Sequence, residues 1–207
     1  MREDSQMAQF GGGGYPAGRW VMVGKATAAL VSDPLSNLTP APGNWLSKDF
    51  FKVEKIKSIS VTHPEATNSW SVSRTIETGS DWTLADAKEG ETLDSSKTSG
   101  FNWALSSPTF NDVEVPAAIP VPAADKATVI KLGTFDGFTY VLKVGEESGG
   151  DRPMSFTVSA DLPKQRPAGE TESPEDKARL DKEFADNQKK LGDKLASEKA
   201  LEKWTYR

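Results

Sequence analysis

A repeated alternation of apolar and polar residues in the second half of the chain constrains its fold more than any other feature. Three segments of seven residues form this pattern, namely Thr128–Thr134, Phe138–Val144 and Met154–Ala160. Asp136-Gly137 separates the first two segments, and Gly149-Gly150 lies between the second and third. A two-residue period places apolar side chains on one face of a strand, and Asp-Gly is a strong hairpin signal. The region therefore predicts a three-stranded antiparallel meander.

A weaker version of this pattern occupies residues 58 to 84 and suggests an internal repeat. Its apolar side chains recur at even spacing within short strands, at Ile59, Val61, Trp70, Val72, Ile76, Trp82 and Leu84. Arg74 is the polar exception on the same face. The succession of strand, turn, strand, turn and strand predicts another meander, with one face on a core and the other in water.

Shorter elements flank and connect the two meanders. Arg19–Gly24 and Thr27–Ser32 are apolar runs separated by Lys25, and they predict a β-hairpin. Asp94-Ser95-Ser96 is typical of a helix N-terminus, so we expect a short helix that ends before Pro108.

The last 38 residues differ from the rest of the chain because half of them are charged. Ten acidic and nine basic residues lie between Glu170 and Arg207. Ser173 followed by Pro174 is typical of a helix start, and a narrow apolar stripe follows at Leu180, Phe184, Leu191 and Leu195. We expect a helix of about 28 residues, roughly 42 Å long.

Together these elements predict an α+β fold. It consists of two antiparallel β-meander units with a short intervening helix and a long charged C-terminal helix. We divide the chain into a flexible lead-in (1–18), a hairpin with the first meander and helix (19–115), a proline-rich connector (116–126), the second meander (127–169) and the charged helix (170–207).

Composition excludes several classes of function. The chain has no cysteine and a single histidine, so disulfides, zinc–thiolate sites, iron–sulfur clusters and most multi-histidine metal sites are excluded. The net charge of −5 argues against a nucleic-acid ligand. Gly24-Lys25 lacks both the glycine spacing and the hydroxyl residue of a phosphate-binding loop. We therefore predict no cofactor, no metal and no nucleic acid.

No group of residues in the sequence predicts catalysis. His63 precedes Pro64 at a predicted strand end, which is typical of an exposed turn histidine rather than a general base. Paired carboxylates occur in two glycine-containing loops, at Glu89 and Glu91 and at Glu146 and Glu147. Such pairs are typical of solvated turns, but they leave an acidic hydrolase as a third functional hypothesis.

Six tryptophans in 207 residues indicate either a large aromatic core or a binding surface. We interpret four of them as core residues because they fall in predicted elements, namely Trp20, Trp70, Trp82 and Trp103. Trp45 follows a Pro-Gly loop, and Trp204 lies off the apolar stripe of the predicted helix. We therefore predict that Trp45 and Trp204 contact a partner or a sugar.

Several short motifs in the first half carry a resemblance to a known family. They are Trp45–Phe51 leading into Ile56–Val61, then Val72–Arg74, Trp82–Leu84 and Ser107–Val113. Over about residues 45 to 115 the chain resembles an uncharacterised bacterial family, domain of unknown function forty-three-forty. The resemblance implies an extracytoplasmic protein, often encoded beside ABC-transporter components of the gliding-motility type. It implies no catalytic residue, because none is established for the family.

These observations favour a non-enzymatic envelope module that serves as an accessory or scaffold for an ABC-transporter-like complex. The resemblance implies a periplasmic or membrane-anchored extracytoplasmic location, with envelope or transporter proteins as partners. Membrane attachment would then require a segment that is absent from this sequence. The alternative is a carbohydrate- or cell-wall-binding module that uses exposed tryptophans.

Overall fold

The computed structural model describes residues 2–3, 16–25, 27–33, 42–79, 81–114, 126–167 and 172–207. The chain divides into two compact units, Met1–Trp45 and Leu46–Arg207. Most of the predicted flexible lead-in (1–18) and nearly all of the proline-rich connector (116–126) lie outside the described residues. The five predicted segments therefore stay a prediction.

The N-terminal unit contains a three-stranded antiparallel sheet in the order β1-β2-β3. Its strands are β1 (Arg2–Glu3), β2 (Pro16–Val23) and β3 (Thr27–Val31). The predicted hairpin is confirmed, since β2 and β3 pair from Arg19↔Val31 to Val23↔Thr27. A 3₁₀ turn over Pro42–Trp45 ends this unit.

The C-terminal unit is built on one eight-stranded sheet. Its strands are β4 (Ile56–Thr62), β5 (Trp70–Ser73), β6 (Thr83–Leu84), β7 (Val113–Glu114), β8 (Thr128–Thr134), β9 (Phe138–Val144), β10 (Met154–Ala160) and β11 (Thr205–Tyr206). The order is β6-β5-β4-β8-β9-β10-β11-β7, and neighbouring strands are antiparallel. The prediction of a mainly antiparallel β protein with a long C-terminal helix is confirmed.

The two meanders join edge to edge, which the sequence did not predict. Strand β4 pairs with β8 from Ile56↔Thr134 to Thr62↔Val129, with a bulge at Lys57. Both predicted meanders are present, as β4–β5–β6 and β8–β9–β10, but they form parts of one sheet. Shared backbone hydrogen bonds make the two meanders halves of one continuous sheet.

The helices differ in how closely they follow the sequence pattern. Helix α1 is a single turn over Ser95–Thr98, and a 3₁₀ turn over Ser99–Asn102 follows it. The short helix expected to continue up to Pro108 does not form as one element, because serine, threonine and glycine are weak helix formers. Helix α2 spans Pro174–Lys199, 26 residues, and the Ser173 hydroxyl caps it by accepting a hydrogen bond from the Asp176 amide at 3.1 Å. Among the helices described, none has the length and apolar character needed to cross a bilayer.

One face of the large sheet carries the core. Its central side chains are buried, namely Ile59, Val72, Leu132, Phe138, Tyr140, Leu142, Phe156 and Val158. Residues from outside the sheet pack against them, chiefly Phe50, Phe51, Phe101, Leu105, Phe110, Leu191 and Leu195. The residues between the buried ones along each strand point to the opposite face of the sheet. That face carries mainly serine and threonine, as at Ser58, Ser60, Ser71, Thr139 and Thr157. The loops at the β5–β6 end of the core face place the candidate site.

Candidate functional site

A groove of about 480 Å³ lies in the C-terminal unit, where the segment after β5 meets the 3₁₀ turn that follows α1. We call it the Trp103 groove. Its charged and polar lining is contributed mainly by Glu54, Lys55, Arg74, Glu77 and Asn102, with the Trp103 indole as its aromatic wall. Its volume falls within the range of about 300–1,000 Å³ that is typical of small-molecule sites.

Arg74 is the buried charge in this groove, with only 5% of its surface exposed. Its Nε donates a hydrogen bond to the Ile56 carbonyl at 2.7 Å, and its Nη1 donates to the Gly79 carbonyl at 3.0 Å. The guanidinium carbon lies 5.0 Å from the centre of the Trp82 ring and 5.6 Å from that of Phe135. Two carbonyls and two aromatic rings therefore hold the guanidinium in one position.

The other charged side chains of the groove each have an oppositely charged neighbour in the groove or beside it. Lys55 Nζ lies 3.0 Å from Asp136 and 3.8 Å from Glu77. The hydrogen bond to Asp136 raises the pKa of Lys55 above its usual value, and it outweighs the opposing effect of burial. Glu54 lies 3.8 Å from Lys194 Nζ. Among the described residues, Arg74 has no carboxylate in ion-pair contact.

Trp103 is the most exposed large apolar side chain described here, at 73%. Its backbone is fixed by a tight turn, since its amide donates to Gly100 at 3.1 Å and its carbonyl accepts from both the amide and the hydroxyl of Ser106. The neighbouring Asn102 Oδ1 is buried and has no hydrogen-bond partner among the described residues. A rigid turn therefore presents an open indole beside an unused acceptor.

The prediction of four core tryptophans is confirmed for Trp82 and wrong for Trp20 and Trp103, while Trp70 is partly exposed. Trp20 lies on β2 opposite Leu30, and both side chains are exposed on one face of the hairpin. A 3₁₀ turn over Ser99–Asn102 comes directly before Trp103. The direction of the Trp103 side chain therefore does not follow the 3.6-residue period of an α-helix, on which the core prediction depended. A tryptophan that lies in a strand or helix can still be exposed, so the exposed fraction of the side chain shows which tryptophans are available for binding.

The two tryptophans predicted to contact a partner occupy different environments. Trp45 is 62% exposed at the end of its 3₁₀ turn. Trp204 is half-buried against the core, and Lys203 Nζ lies 5.3 Å from the centre of its ring. They belong to different compact units. Partner contact by either residue stays a prediction.

The residues considered for catalysis are engaged locally. His63 Nδ1 accepts a hydrogen bond from the Glu65 amide at 3.1 Å, so it serves the turn after β4. His63 also lines a cavity of about 200 Å³ with Glu146 and Arg152. Glu91 accepts a hydrogen bond from the Lys88 amide at 2.9 Å. In the part of the chain that the structure describes, no group of three or more His, Cys, Asp or Glu side chains is placed to hold a metal ion.

Another groove, of about 520 Å³, lies beside Trp70 and is also lined by Asp86, Lys88 and Glu91. One face of the Trp70 ring is already occupied, because Phe101 stacks on it at 5.6 Å with an interplanar angle of 11°. The Trp103 groove has the more exposed indole and the buried Arg74 beside it. It is therefore the stronger candidate. Sequence reasoning missed this site, although Arg74 stood out as the polar exception in its strand.

Comparisons of the chain with family models, curated proteins and solved structures give no match. The resemblance to domain of unknown function forty-three-forty therefore stays a prediction. The candidate site rests on the geometry of Arg74, Asn102 and Trp103.

Proposed function

We propose that the protein is a non-enzymatic carbohydrate-binding module and that the Trp103 groove is its site. The observation that carries this proposal is the exposed Trp103 indole at the wall of a groove with fixed hydrogen-bonding groups. A pyranose ring has apolar C–H faces and a rim of hydroxyls. A flat indole packs on the former, and carboxylates, amides and cations bind the latter.

The rigidity of the groove supports a binding role. Lys55 is tied to Asp136, and Arg74 is tied to two backbone carbonyls. Side chains that are already ordered lose little conformational entropy when a ligand binds. This matters for sugars, because their hydroxyls gain little over the hydrogen bonds they make to water.

The carboxylates of the groove support binding rather than hydrolysis. A glycoside hydrolase keeps one carboxylic acid protonated by shielding it in apolar surroundings. The side chains of Glu54 and Glu77 are instead well exposed to solvent, and each lies 3.8 Å from a lysine ammonium. We therefore propose that the groove holds a sugar without cleaving it.

A panel of neutral and acidic glycans, titrated by isothermal calorimetry, tests the proposal. We expect saturable binding by the unmodified protein and a loss of about tenfold or more in Trp103→Ala, equivalent to ~1.4 kcal/mol. Trp45→Ala is the matched control, because Trp45 is similarly exposed in the other unit. No binding across the panel by folded protein, or an equal loss in both variants, would contradict the proposal.

A second candidate function is the envelope scaffold predicted from the sequence. An exposed apolar face on the hairpin favours it, because Trp20 and Met22 on β2 lie opposite Leu30 and Ala28 on β3. Such a face is typical of protein contacts. We propose a periplasmic location and a transporter subunit as the partner in this case. Capture of that subunit should be lost when Trp20 and Met22 are both changed to serine and kept in Trp103→Ala.

A further inference from the structure

We infer that the Trp103 groove takes an anionic saccharide and that its carboxylate binds Arg74. This inference rests on the proposed function and adds the charge of the ligand to it. It follows from the lack of an ion-pair partner for the buried Arg74 among the described residues, from the unused hydrogen-bonding capacity of two side chains and from the position of the indole.

Arg74 is the groove cation that has no ion-pair partner among the described residues. Its guanidinium is buried, and among the described residues its polar partners are the carbonyls of Ile56 and Gly79. Removing a charge from water is costly unless an opposite charge compensates it. The surrounding rings of Trp82 and Phe135 supply only the weaker attraction of their π-systems. A bound carboxylate would provide the missing counter-charge.

The acids that line the groove do not provide a counter-charge for Arg74. Glu77 lies near Lys55, which is also held by Asp136, and Glu54 lies near Lys194. Each described acid of the groove therefore already has a cationic neighbour. The lining holds two acids and two bases, so an added anion would find its specific contact at the buried Arg74 guanidinium rather than at Lys55, which Asp136 already holds.

Arg74 also has donors left for a ligand. A guanidinium carries five N–H donors in a planar fork, and the bonds to Ile56 and Gly79 account for two of them. Charge-assisted hydrogen bonds from arginine to a carboxylate are stronger than neutral ones. Asn102 Oδ1 adds a buried acceptor with no described partner, which suits a sugar hydroxyl.

The indole decides between an acidic sugar and a smaller anion. Trp103 offers a flat apolar surface at the wall of the groove that contains Arg74. A uronic acid carries its carboxylate directly on a pyranose ring, so one residue can present a charge and a C–H face together. Acetate has no ring to stack, and an acidic peptide has no comparable flat face on its acidic side chains.

A ligand series tested on the unmodified protein decides the inference without any risk of misfolding. The probes are methyl glucuronide, its methyl ester, methyl glucoside and a hexaglutamate peptide. We expect methyl glucuronide to bind about tenfold more tightly than the ester or the glucoside, and this preference should shrink when 0.5 M salt screens the charge. We expect no peptide binding.

The outcomes separate the inference from the proposed function. Equal binding of the three sugars, lost in Trp103→Ala, would overturn the charge assignment and leave the carbohydrate site standing. Binding of the peptide in preference to every sugar would overturn both. No sugar binding at all would overturn the proposed function itself.

Two substitutions then assign the charge to one residue. Arg74→Lys keeps a cation but loses the planar fork, so we expect the glucuronide preference to fall several-fold while glucoside binding persists. Lys131→Gln is the matched control, since Lys131 is an exposed lysine on β8 that does not line the groove. An equal fall of the preference in both variants would overturn the assignment. If Arg74→Lys fails to fold by circular dichroism, the ligand series remains decisive.

Discussion

Glu198, near the end of α2, accepts a hydrogen bond from Tyr140 Oη on β9 at 2.8 Å, and both residues are almost fully buried. The other carboxylate oxygen of Glu198 accepts from the Lys52 amide at 3.1 Å. Lys194, one turn earlier on α2, donates to the Lys52 carbonyl at 2.8 Å. A single buried carboxylate therefore links the C-terminal helix, the sheet and the segment that leads into β4.

Replacing Tyr140 with phenylalanine tests this link. The change leaves one oxygen of the buried Glu198 carboxylate without its donor, so we expect the free energy of unfolding to fall by about 1–3 kcal/mol. Urea denaturation followed by circular dichroism measures it. Lys199→Ala is the control, because Lys199 is the exposed neighbour of Glu198 and should change stability by less than about 0.5 kcal/mol. Equal effects of the two substitutions would count against the link.

The same tyrosine should make the protein sensitive to alkali. Burial, reinforced by the hydrogen bond to Glu198, raises the pKa of Tyr140 well above its usual value, and burial raises the pKa of Tyr206 to about 12. The unfolded chain loses these protons near pH 10, before the folded protein does. Stability contributed by these groups is therefore complete below about pH 10 and lost as the pH rises further.

Urea denaturation between pH 8 and pH 11 checks this dependence. We expect little change from these groups below about pH 9, and a decline of up to about 1.4 kcal/mol per pH unit for each tyrosine above pH 10. The variant with both Tyr140→Phe and Tyr206→Phe should show a shallower decline. Identical slopes in the two proteins would refute the assignment.

The sequence predicted the three strands between 128 and 160 with their observed bounds, because each buries alternate side chains against one core. It did not predict β7 and β11, which are two residues long and too short to show a period. Their pairing depends on contacts across about 90 residues of chain, since Tyr206 pairs with Val113. Such long-range pairing leaves no local signal.

The contribution of β11 to stability is itself testable. Tyr206 lies in an aromatic cluster, with ring centres 4.5 Å from Phe50, 5.2 Å from Phe110 and 5.9 Å from Phe156. Tyr206→Ala should cost about 3–5 kcal/mol in the free energy of unfolding, because it leaves a cavity in the core. Tyr206→Phe removes only the hydrogen bond to the Leu201 carbonyl and should cost about 1 kcal/mol. A small effect of the alanine change would place the C-terminal strand outside the cooperative core.

Two glycines should respond to alanine with opposite signs. Gly137 has a φ of +84°, and a Cβ there would collide with the Asp161 carbonyl, so Gly137→Ala should destabilise the protein by about 2 kcal/mol or more. Gly192 lies within α2, where an added Cβ meets open space. Gly192→Ala should therefore stabilise by about 0.5–1 kcal/mol. Thermal denaturation compares the two variants, and a shift of the same sign in both would be the contrary result.

The candidate site was only partly foreseeable. Arg74 interrupts an apolar period, which is a local signal, but its burial depends on Trp82 and Phe135 from later in the chain. Trp103 was assigned to the core because it follows a helix start, and its exposure depends on the turn that ends α1 early. Tertiary packing brings several loops together to form such a site. A local pattern in the sequence does not show which loops will meet.

The most direct test of the account is the response of the six tryptophan indole N–H resonances to methyl glucuronide, assigned by single Trp→Phe substitutions and followed by NMR. The account predicts that the Trp103 resonance shifts saturably, while Trp45 and Trp204 stay within the spread of a glycerol control. A titration that moves Trp45 or Trp204 and leaves Trp103 unchanged, or that moves none of the six, would contradict it.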